Sequence, residues 1–456
     1  MMKRFGKTLL LLCVLTAALA VTSMAADFDS RAQELKNMNL FLGSEQGFDL
    51  DRAPTRGEAA VMLVRLLGAE TEAKDQAAAG AITNPFTDVP AWANPHISWL
   101  YTKGLANGMG DGTFGVTLPC SAQNYCTMVL RALGYSDAAG GDFTYANALT
   151  FAQSRGLYDP TFFTGDFLRD DLVAISYQAL ATDVKGSQDY LLKTLVANGS
   201  VDATAAKATT DKIDTYETYL AQCGDWAKET AMDMDMAMKL NMAILGQTVD
   251  MDMDAKIQVN LDNSNLQMAM TSTTKAEGET VPMNMWIKDG WLYTEAEGKK
   301  VKSKMDMTDL QELINASASY TDAAEKQGLY LLDSITSSKD SAGNTVYTMG
   351  YSSALGSIAE AAGEMSGSAA MEGLGDVSVD VGKMTCTVTI DKDNNPIAMG
   401  FSFDMKMAIT AEGQTVNVTC KCTADITINA VGDKVTVTYP DLSQFVEGTI
   451  PAKTAA

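Results

Sequence analysis

The feature that most constrains this chain is a change of hydrophobic period near residue 231. Upstream, apolar residues recur every three or four positions, the spacing of one helix face. Downstream they recur every second position. Residues 231–242 read AMDMDMAMKLNM: Met232, Met234, Met236, Met238, Leu240 and Met242 alternate with Asp233, Asp235, Ala237, Lys239 and Asn241. Successive side chains of a strand point to opposite faces, so this pattern builds one dry and one wet face. A helix would scatter the methionines around its axis. The chain therefore holds a helical first half and a sheet second half, and its 456 residues exceed one ordinary core.

The alternation continues through the second half. Val249, Met251, Met253, Ala255, Ile257, Val259 and Leu261 face Asp250, Asp252, Asp254 and Lys256. Leu266, Met268 and Met270 follow, then Met283 and Met285 before a hairpin about Asp289-Gly290. Further on come Val377/Val379/Val381, Met384/Cys386/Val388/Ile390, Phe401/Phe403/Met405/Met407/Ile409, Val416/Val418/Cys420/Cys422 and KVTVTYP. The pattern predicts about ten antiparallel strands joined by short turns. Two helical stretches, starting near Thr308 and Leu355, interrupt them and are expected to cover the dry face as an α+β domain.

The first half repeats itself. Thr55-Arg56-Gly57-Glu58 is a capping box opening a helix with the stripe Ala59, Met62, Leu63, Leu66 and Leu67. Tyr125, Met128, Val129, Ala132 and Leu133 hold the same offsets after Ser121, as do Leu172, Ile175, Ser176, Ala179 and Leu180 after Leu168. Three copies of one helical unit, burying their stripes on one another, is the economical reading.

These residues carry a resemblance. Phe86-Thr87-Asp88-Val89-Pro90 with Trp92-Ala93, then Gly104, Gly108, Asp111-Gly112 and Phe114, then a TRGE-type helix start, resemble the S-layer homology (SLH) repeat. The likeness covers residues 27–185 as an all-α module of repeats at about 27–70, 80–136 and 141–185. It implies a three-lobed module of bacterial surface proteins that binds secondary cell-wall polysaccharide, often through a pyruvylated sugar. By position it implies glycan-binding roles for Thr55, Arg56, Glu58, Asp88, Trp92, Gly108, Arg169 and Asp171. Arg56 and Arg169 would supply planar cations for a glycan carboxylate. Ala122 and Asn124 stand at the matching places of the second repeat, so at most two pockets keep their charge. At each single position the competing reading is structural: a helix cap, a solvated cation or a core indole.

The second half, roughly 225–447, resembles the LolA-like and mycobacterial lipid-carrier fold in its order of strands, helices, strands, helix, strands. That resemblance implies a curved half-barrel sheet around helices, with acyl chains held between. The dry-face residues Met232, Met234, Met236, Met238, Met251, Met253, Met268, Met270, Met283, Met285, Phe401, Phe403, Met405 and Met407 would then line a hydrophobic cavity. Methionine adapts to irregular apolar shapes. Thioethers spaced two apart also suit Cu(I), but here they share their face with Leu240, Val249 and Phe401, as core residues do. Asp250, Asp252 and Asp254 imitate the start of an EF-hand loop, yet Ala255 replaces its glycine and Leu261 its closing glutamate.

Composition narrows the remaining classes. The formal charge of −23 argues against nucleic acid. Lys3, Arg4 and Lys7 before LLLLCVLTAALAV, with Ser23-Met24-Ala25 after it, predict a signal peptide over 1–25 and a secreted protein; the two resemblances imply a place at the cell wall surface of a Gram-positive bacterium. No later run is long enough to span a bilayer. Residues 186–224 read as a helical spacer and 448–456 as a flexible tail. The only histidine, His96, sits in a repeat helix, which removes Ser-His-Asp, Cys-His and multi-histidine metal sites from the second half. No enzyme, cofactor or metal site is expected. The sequence leaves three roles for the sheet: a hydrophobic-ligand binder, a scaffold with a filled core, or a Met/Cys metal chaperone.

Overall fold

The computed structural model describes residues 28–43, 47–160, 163, 165–223, 229–244, 246–260, 266–276, 278–296, 298–305, 328–351, 376–411 and 414–448. They form two compact units. One comprises residues up to Tyr216 together with the 3-10 turn Gly328–Leu331, and the other runs from Glu217 onward without that turn. The layout is α+β: helices first, then one large open antiparallel sheet.

The helical unit contains α1 (Asp29–Asn37), α2 (Arg56–Leu66), α3 (Glu70–Ala78), α4 (Asn94–Thr102), α5 (Ala122–Ala132), α6 (Ala148–Ser154), α7 (Arg169–Leu180), α8 (Leu191–Ala197) and most of α9 (Ala203–Cys223). Thr55 caps α2 as its sequence predicts: its hydroxyl accepts from the Glu58 amide at 3.2 Å, and the Glu58 carboxylate accepts from the Thr55 amide at 2.8 Å. Ser121 caps α5 through the Asn124 amide. The glycines ending RLLG and RALG take the left-handed conformation that stops a helix, at φ 62° for Gly68 and 89° for Gly134. The three stripes are buried, save Leu67 and Ala132 at the rim. Tyr125 of α5 reaches Ser176 of α7 through a 2.6 Å hydrogen bond.

This core also encloses charge. Glu34 of α1 accepts from Lys212 Nζ at 2.9 Å and Tyr177 Oη at 2.5 Å, and pairs with Arg31. Burial alone would raise the Glu34 carboxyl, but the Lys212 and Arg31 charges overcome it and hold it below the usual range. Arg31 donates in turn to the Tyr330 carbonyl at 2.9 Å. The Tyr330 ring packs between Phe28 and Phe163, at centroid distances of 5.5 and 5.7 Å. Gly328–Leu331 follows the sixth strand in sequence yet completes the helical core.

Among the described residues the sheet has twelve strands. They are β1 (Ala231–Ile244), β2 (Gln247–Asn260), β3 (Gln267–Ala276), β4 (Glu279–Lys288), β5 (Trp291–Ala296), β6 (Lys299–Lys304), β7 (Leu332–Lys339), β8 (Thr345–Tyr351), β9 (Asp376–Ile390), β10 (Pro396–Ala411), β11 (Gln414–Val431) and β12 (Val446–Glu447). Their spatial order is 12-6-5-4-3-2-1-11-10-9-8-7. Two meanders, β1 to β6 and β7 to β11, thus meet through the β1–β11 pair. Only the two-residue β12 pairs in parallel. The β4–β5 hairpin turns at Asp289-Gly290, both at positive φ, as its Asp-Gly signal predicts.

Three sequence expectations change. The Val377/Val379/Val381 and Met384/Cys386/Val388/Ile390 series are one strand, β9. A bulge opposite Phe403/Met405, at Gly382, shifts the phase of its alternation. KVTVTYP is not a strand: residues 435–440 belong to no regular element, and Thr438 bonds the side chain of Gln258 rather than a neighbouring backbone. The hairpin β7–β8 fills the stretch between the two expected helices. Those helices, at 308–314 and 355–365, lie outside the described residues, as do the expected signal peptide and Leu261. The all-α three-repeat reading is not fixed by the helical layout alone and returns below as a proposal.

Candidate functional site

Two regions hold the predicted site residues. The first surrounds the starts of α2 and α7. Arg56, 8% exposed, donates from Nε to the Phe114 carbonyl at 3.1 Å, from Nη1 to Asn124 Oδ1 at 2.6 Å and from Nη2 to the Asn107 carbonyl at 3.4 Å. Its guanidinium lies over the Phe114 ring at 5.1 Å. Arg169 does the same elsewhere: it donates to the Phe48 carbonyl at 3.2 and 3.1 Å, lies over Phe41 at 5.5 Å and stands 3.6 Å from Glu58. Each arginine therefore leaves its helix start and binds a separate loop. Planar, five-donor guanidinium suits several fixed carbonyls at once.

Glu58 also accepts two bonds from Arg52. Burial would raise its carboxyl, but the Arg52 bonds, the Thr55 amide and the Arg52 charge bring it down to about 2. Asp88 receives the amides of Phe114, Gly115 and Val116 at 2.7, 2.8 and 3.0 Å, which hold its pKa below the ordinary value against desolvation. It shapes the loop that Arg56 enters. Gly108 is a packing glycine: a Cβ there would stand 2.3 Å from the Phe86 ring. Trp92 is 54% exposed, with its ring edge beside Gly57. Met109, Leu118 and Arg56 converge on Gly115, and both apolar side chains are exposed. Asp171 accepts from the Leu168 amide at 2.8 Å, yet desolvation raises it to about 6. Thr55, Arg56, Glu58, Asp88, Trp92 and Gly108 thus gather at one end of α2, and Arg169 joins them through Glu58.

The sequence reading missed Arg52, Asn107, Asn124 and Asp170 as partners here. Asn124 appeared as lost charge, but it is the side-chain acceptor for Arg56. Asp170 accepts from the Phe28 amide at 3.0 Å. Asn124 carried a signal in its place three residues after the Ser121 cap, whereas Asp170 and the partners across the fold were not legible.

The second region is the dry face of the sheet. Strand register puts the methionines together: Met238 opposite Met253, Leu240 opposite Met251, Met234 opposite Ile257, and Met270 between Ile257 and Met285. Met232 and Met268 share partner Val259, while Met236 and Met283 share this face through Ala255 and Ser272. Across β1, Cys420 and Cys422 pair with Met242 and Leu240, and then with Met405 and Phe403. Phe401 follows opposite Ala424. Met407 pairs with Val418, and its side chain lies outside those described. Met238, Leu240, Met242, Met251, Met253 and Met405 form a buried cluster with Val418, Cys420 and Cys422. Met232, Met234, Met236, Met268, Met270, Met283 and Met285 are half-buried. Asp250, Asp252 and Asp254 occupy the opposite face of a strand, not a loop. Among the described residues no three His, Cys, Asp or Glu gather as metal ligands.

Comparison with known proteins finds a match in each half. Residues 85–121 match the S-layer homology domain, and residues 227–438 match a family of unknown function, DUF6612. A cell surface protein of Thermoanaerobacter kivui is 32% identical over 160 residues, covering 34% of this chain and 20% of that protein. A middle cell wall protein of Brevibacillus brevis is 27% identical over 128 residues, covering 27% of this chain and 12% of that protein. The chain thus spans a fifth or less of the length of these relatives. Among solved structures, LprF from Mycobacterium bovis is 14% identical at a TM-score of 0.26, covering 49% of this chain and 97% of that one. A LolA superfamily protein from Nitrosomonas europaea is 8% identical at a TM-score of 0.17, covering 49% and 97%. The strand order, rather than these remote likenesses, defines the sheet described here.

The chain thus carries an S-layer homology match over residues 85–121, and that match with the similar cell surface and cell wall proteins supports a secreted, wall-surface location. Its second half matches the DUF6612 family. No described helix is long and apolar enough to cross a membrane.

Proposed function

We propose that the helical unit is a three-repeat SLH module that holds the protein to secondary cell-wall polysaccharide, while the sheet offers its methionine face to a lipid or other hydrophobic ligand. The observation that carries the first half is the paired use of Arg56 and Arg169. Both sit at equivalent helix starts and both lock a loop from elsewhere in the unit. The second copy, with Ala122 and Asn124, instead supplies the acceptor for Arg56. A repeated helix start serving repeated loops is what a cyclic three-repeat module requires. Trp92, Met109 and Leu118 beside Arg56 supply exposed apolar surface for a sugar ring, with the cation close by.

The full chain, mixed with purified wall sacculi, should sediment with them, and Arg56→Ala together with Trp92→Ala should release it. Full-length protein remaining in the supernatant while a known SLH module pellets would sink this reading. For the sheet, native mass spectrometry of the intact protein should find an added lipid mass. Bare protein would favour a filled scaffold, and an added copper mass would favour the chaperone role.

A further inference from the structure

The wet face of the sheet, opposite the methionines, carries a groove of about 610 Å³. Its volume lies in the ~300–1,000 Å³ range of small-molecule sites. We infer that this groove binds a carbohydrate, independently of both the SLH module and the dry face.

The groove exists because the segment after β11 crosses the polar face. Thr438 donates from its amide and hydroxyl to Gln258 Oε1 at 3.0 and 2.8 Å, and Tyr439 Oη donates to the Ile287 carbonyl at 3.1 Å. Phe445 then packs edge-on against Trp286 and Tyr293, at 5.6 and 5.5 Å. An aromatic cluster thus sits on the face that sequence alternation assigns to solvent. The Trp286 edge, Tyr439 and Pro440 form the apolar side of the groove.

The polar side is a fixed network. Asn429 Nδ2 donates to Asp233 Oδ1 at 3.1 Å and to Asp235 Oδ2 at 3.3 Å, and Gln258 Nε2 donates to Asp233 Oδ2 at 2.8 Å. Gln258 is itself oriented by Thr438, so its amide cannot flip without losing both bonds. A carboxylate offers about four lone-pair sites. These bonds leave both aspartates with acceptor capacity directed into the groove, and Lys256 stands 3.9 Å from Asp235 as a donor.

Acceptors, amide donors and an ammonium beside an aromatic wall match one chemistry best. A sugar presents hydroxyls that both donate and accept, on a ring whose C–H face packs on aromatic side chains. A lone cation would use the carboxylates but leave Lys256 repelling it and the aromatic wall without a role. An anion would meet two carboxylates against one lysine. An acyl chain would strand every polar group.

The test uses the full chain and saturation-transfer NMR with chitotetraose and maltotetraose. At least one should receive saturation on its ring protons. Asp235→Ala, a half-exposed position, and Asn429→Ala should each weaken that binding at least tenfold. Lys207→Ala, at an exposed ion pair of α9 outside both sites, should leave it unchanged. Unaltered thermal unfolding of the Asp235→Ala chain separates lost binding from lost fold. The proposal is overturned if no oligosaccharide receives saturation. It is equally overturned if binding survives both groove variants, or if Lys207→Ala weakens it as much as they do.

Discussion

The helical unit and the sheet bury apolar surface in different ways. The helical core is built from shape: Tyr125, Tyr177, Tyr330, Phe28 and Phe114 are fully enclosed, and a buried Glu34–Arg31–Lys212 network fixes who meets whom. The sheet's dry face is built from repetition, with methionines, cysteines and valines paired across strands. Rigid rings and buried ions admit one arrangement, because a lost partner leaves an unpaired charge or a cavity. Flexible thioethers tolerate several. The first design suits an anchor that must hold its loops in place; the second suits a surface that adapts to what it covers.

The largest expected effect would break this contrast at its most specific point. Tyr330→Ala removes a ring enclosed by Phe28 and Phe163, costing about 3–5 kcal/mol. Denaturant unfolding of the full chain should show the helical transition moving to lower denaturant and the sheet transition staying put. Equal movement of both would mean the two cores are not separable in this way.

Next is the sheet. Met251, 2% exposed, should cost about 2–5 kcal/mol when cut to alanine. Met251→Leu should cost less than about 1.5 kcal/mol, because volume is conserved. A leucine variant as damaging as the alanine one would show that the dry face is as exacting as the helical core.

Asp171 sharpens the electrostatic side. Burial raises its folded pKa to about 6 from an ordinary 3.8, so the fold prefers the protonated acid. Its favourable contribution is complete below pH 3.8 and is lost as pH rises through about 6. Asp171→Asn keeps an oxygen for the Leu168 amide. It should stabilise the helical unit by up to about 2 kcal/mol at neutral pH and change little in acid. A thermal-melt series across this window reads the difference directly, and stabilisation that did not depend on pH would refute the assignment.

Glu58 has the opposite sign. Its folded pKa of about 2 lies below the ordinary 4.5, so its contribution is present above pH 4.5 and disappears as pH falls through about 2. Removing its capping bond with Glu58→Ala should cost about 1 kcal/mol at neutral pH. The Arg52 pair adds little, since solvent reaches it. The smallest effect is expected at the exposed Lys207–Asp211 pair of α9, where Lys207→Ala should cost about 0.3–0.5 kcal/mol and vanish in high salt.

Much of the fold was legible locally. Thr55 and Glu58 announced α2, RLLG and RALG announced two helix ends, and Asp289-Gly290 announced a hairpin, because each signal works through neighbours in sequence. The shared face of the methionines followed from period alone. The candidate sites were legible in part: Arg56 and Arg169 stood out by position, but their loop partners Asn107, Phe114 and Phe48 did not. The wet-face groove was not legible at all, since Trp286 and Tyr439 lie 153 residues apart and meet only when the last segment crosses the sheet.

Although it gave KVTVTYP as a strand and missed β7 and β8, the sequence by itself determined the main helices of the first half, most strands of the second, and the shared face of the methionines. These are properties of backbone geometry and side-chain alternation, settled within a few residues. Tertiary structure alone decided that β1 joins two meanders, that Gly328–Leu331 completes the helical core, and that the C-terminal segment roofs part of the polar face. Such pairings depend on burying particular surfaces across long separations, and no local pattern encodes which distant partner gains most from that burial.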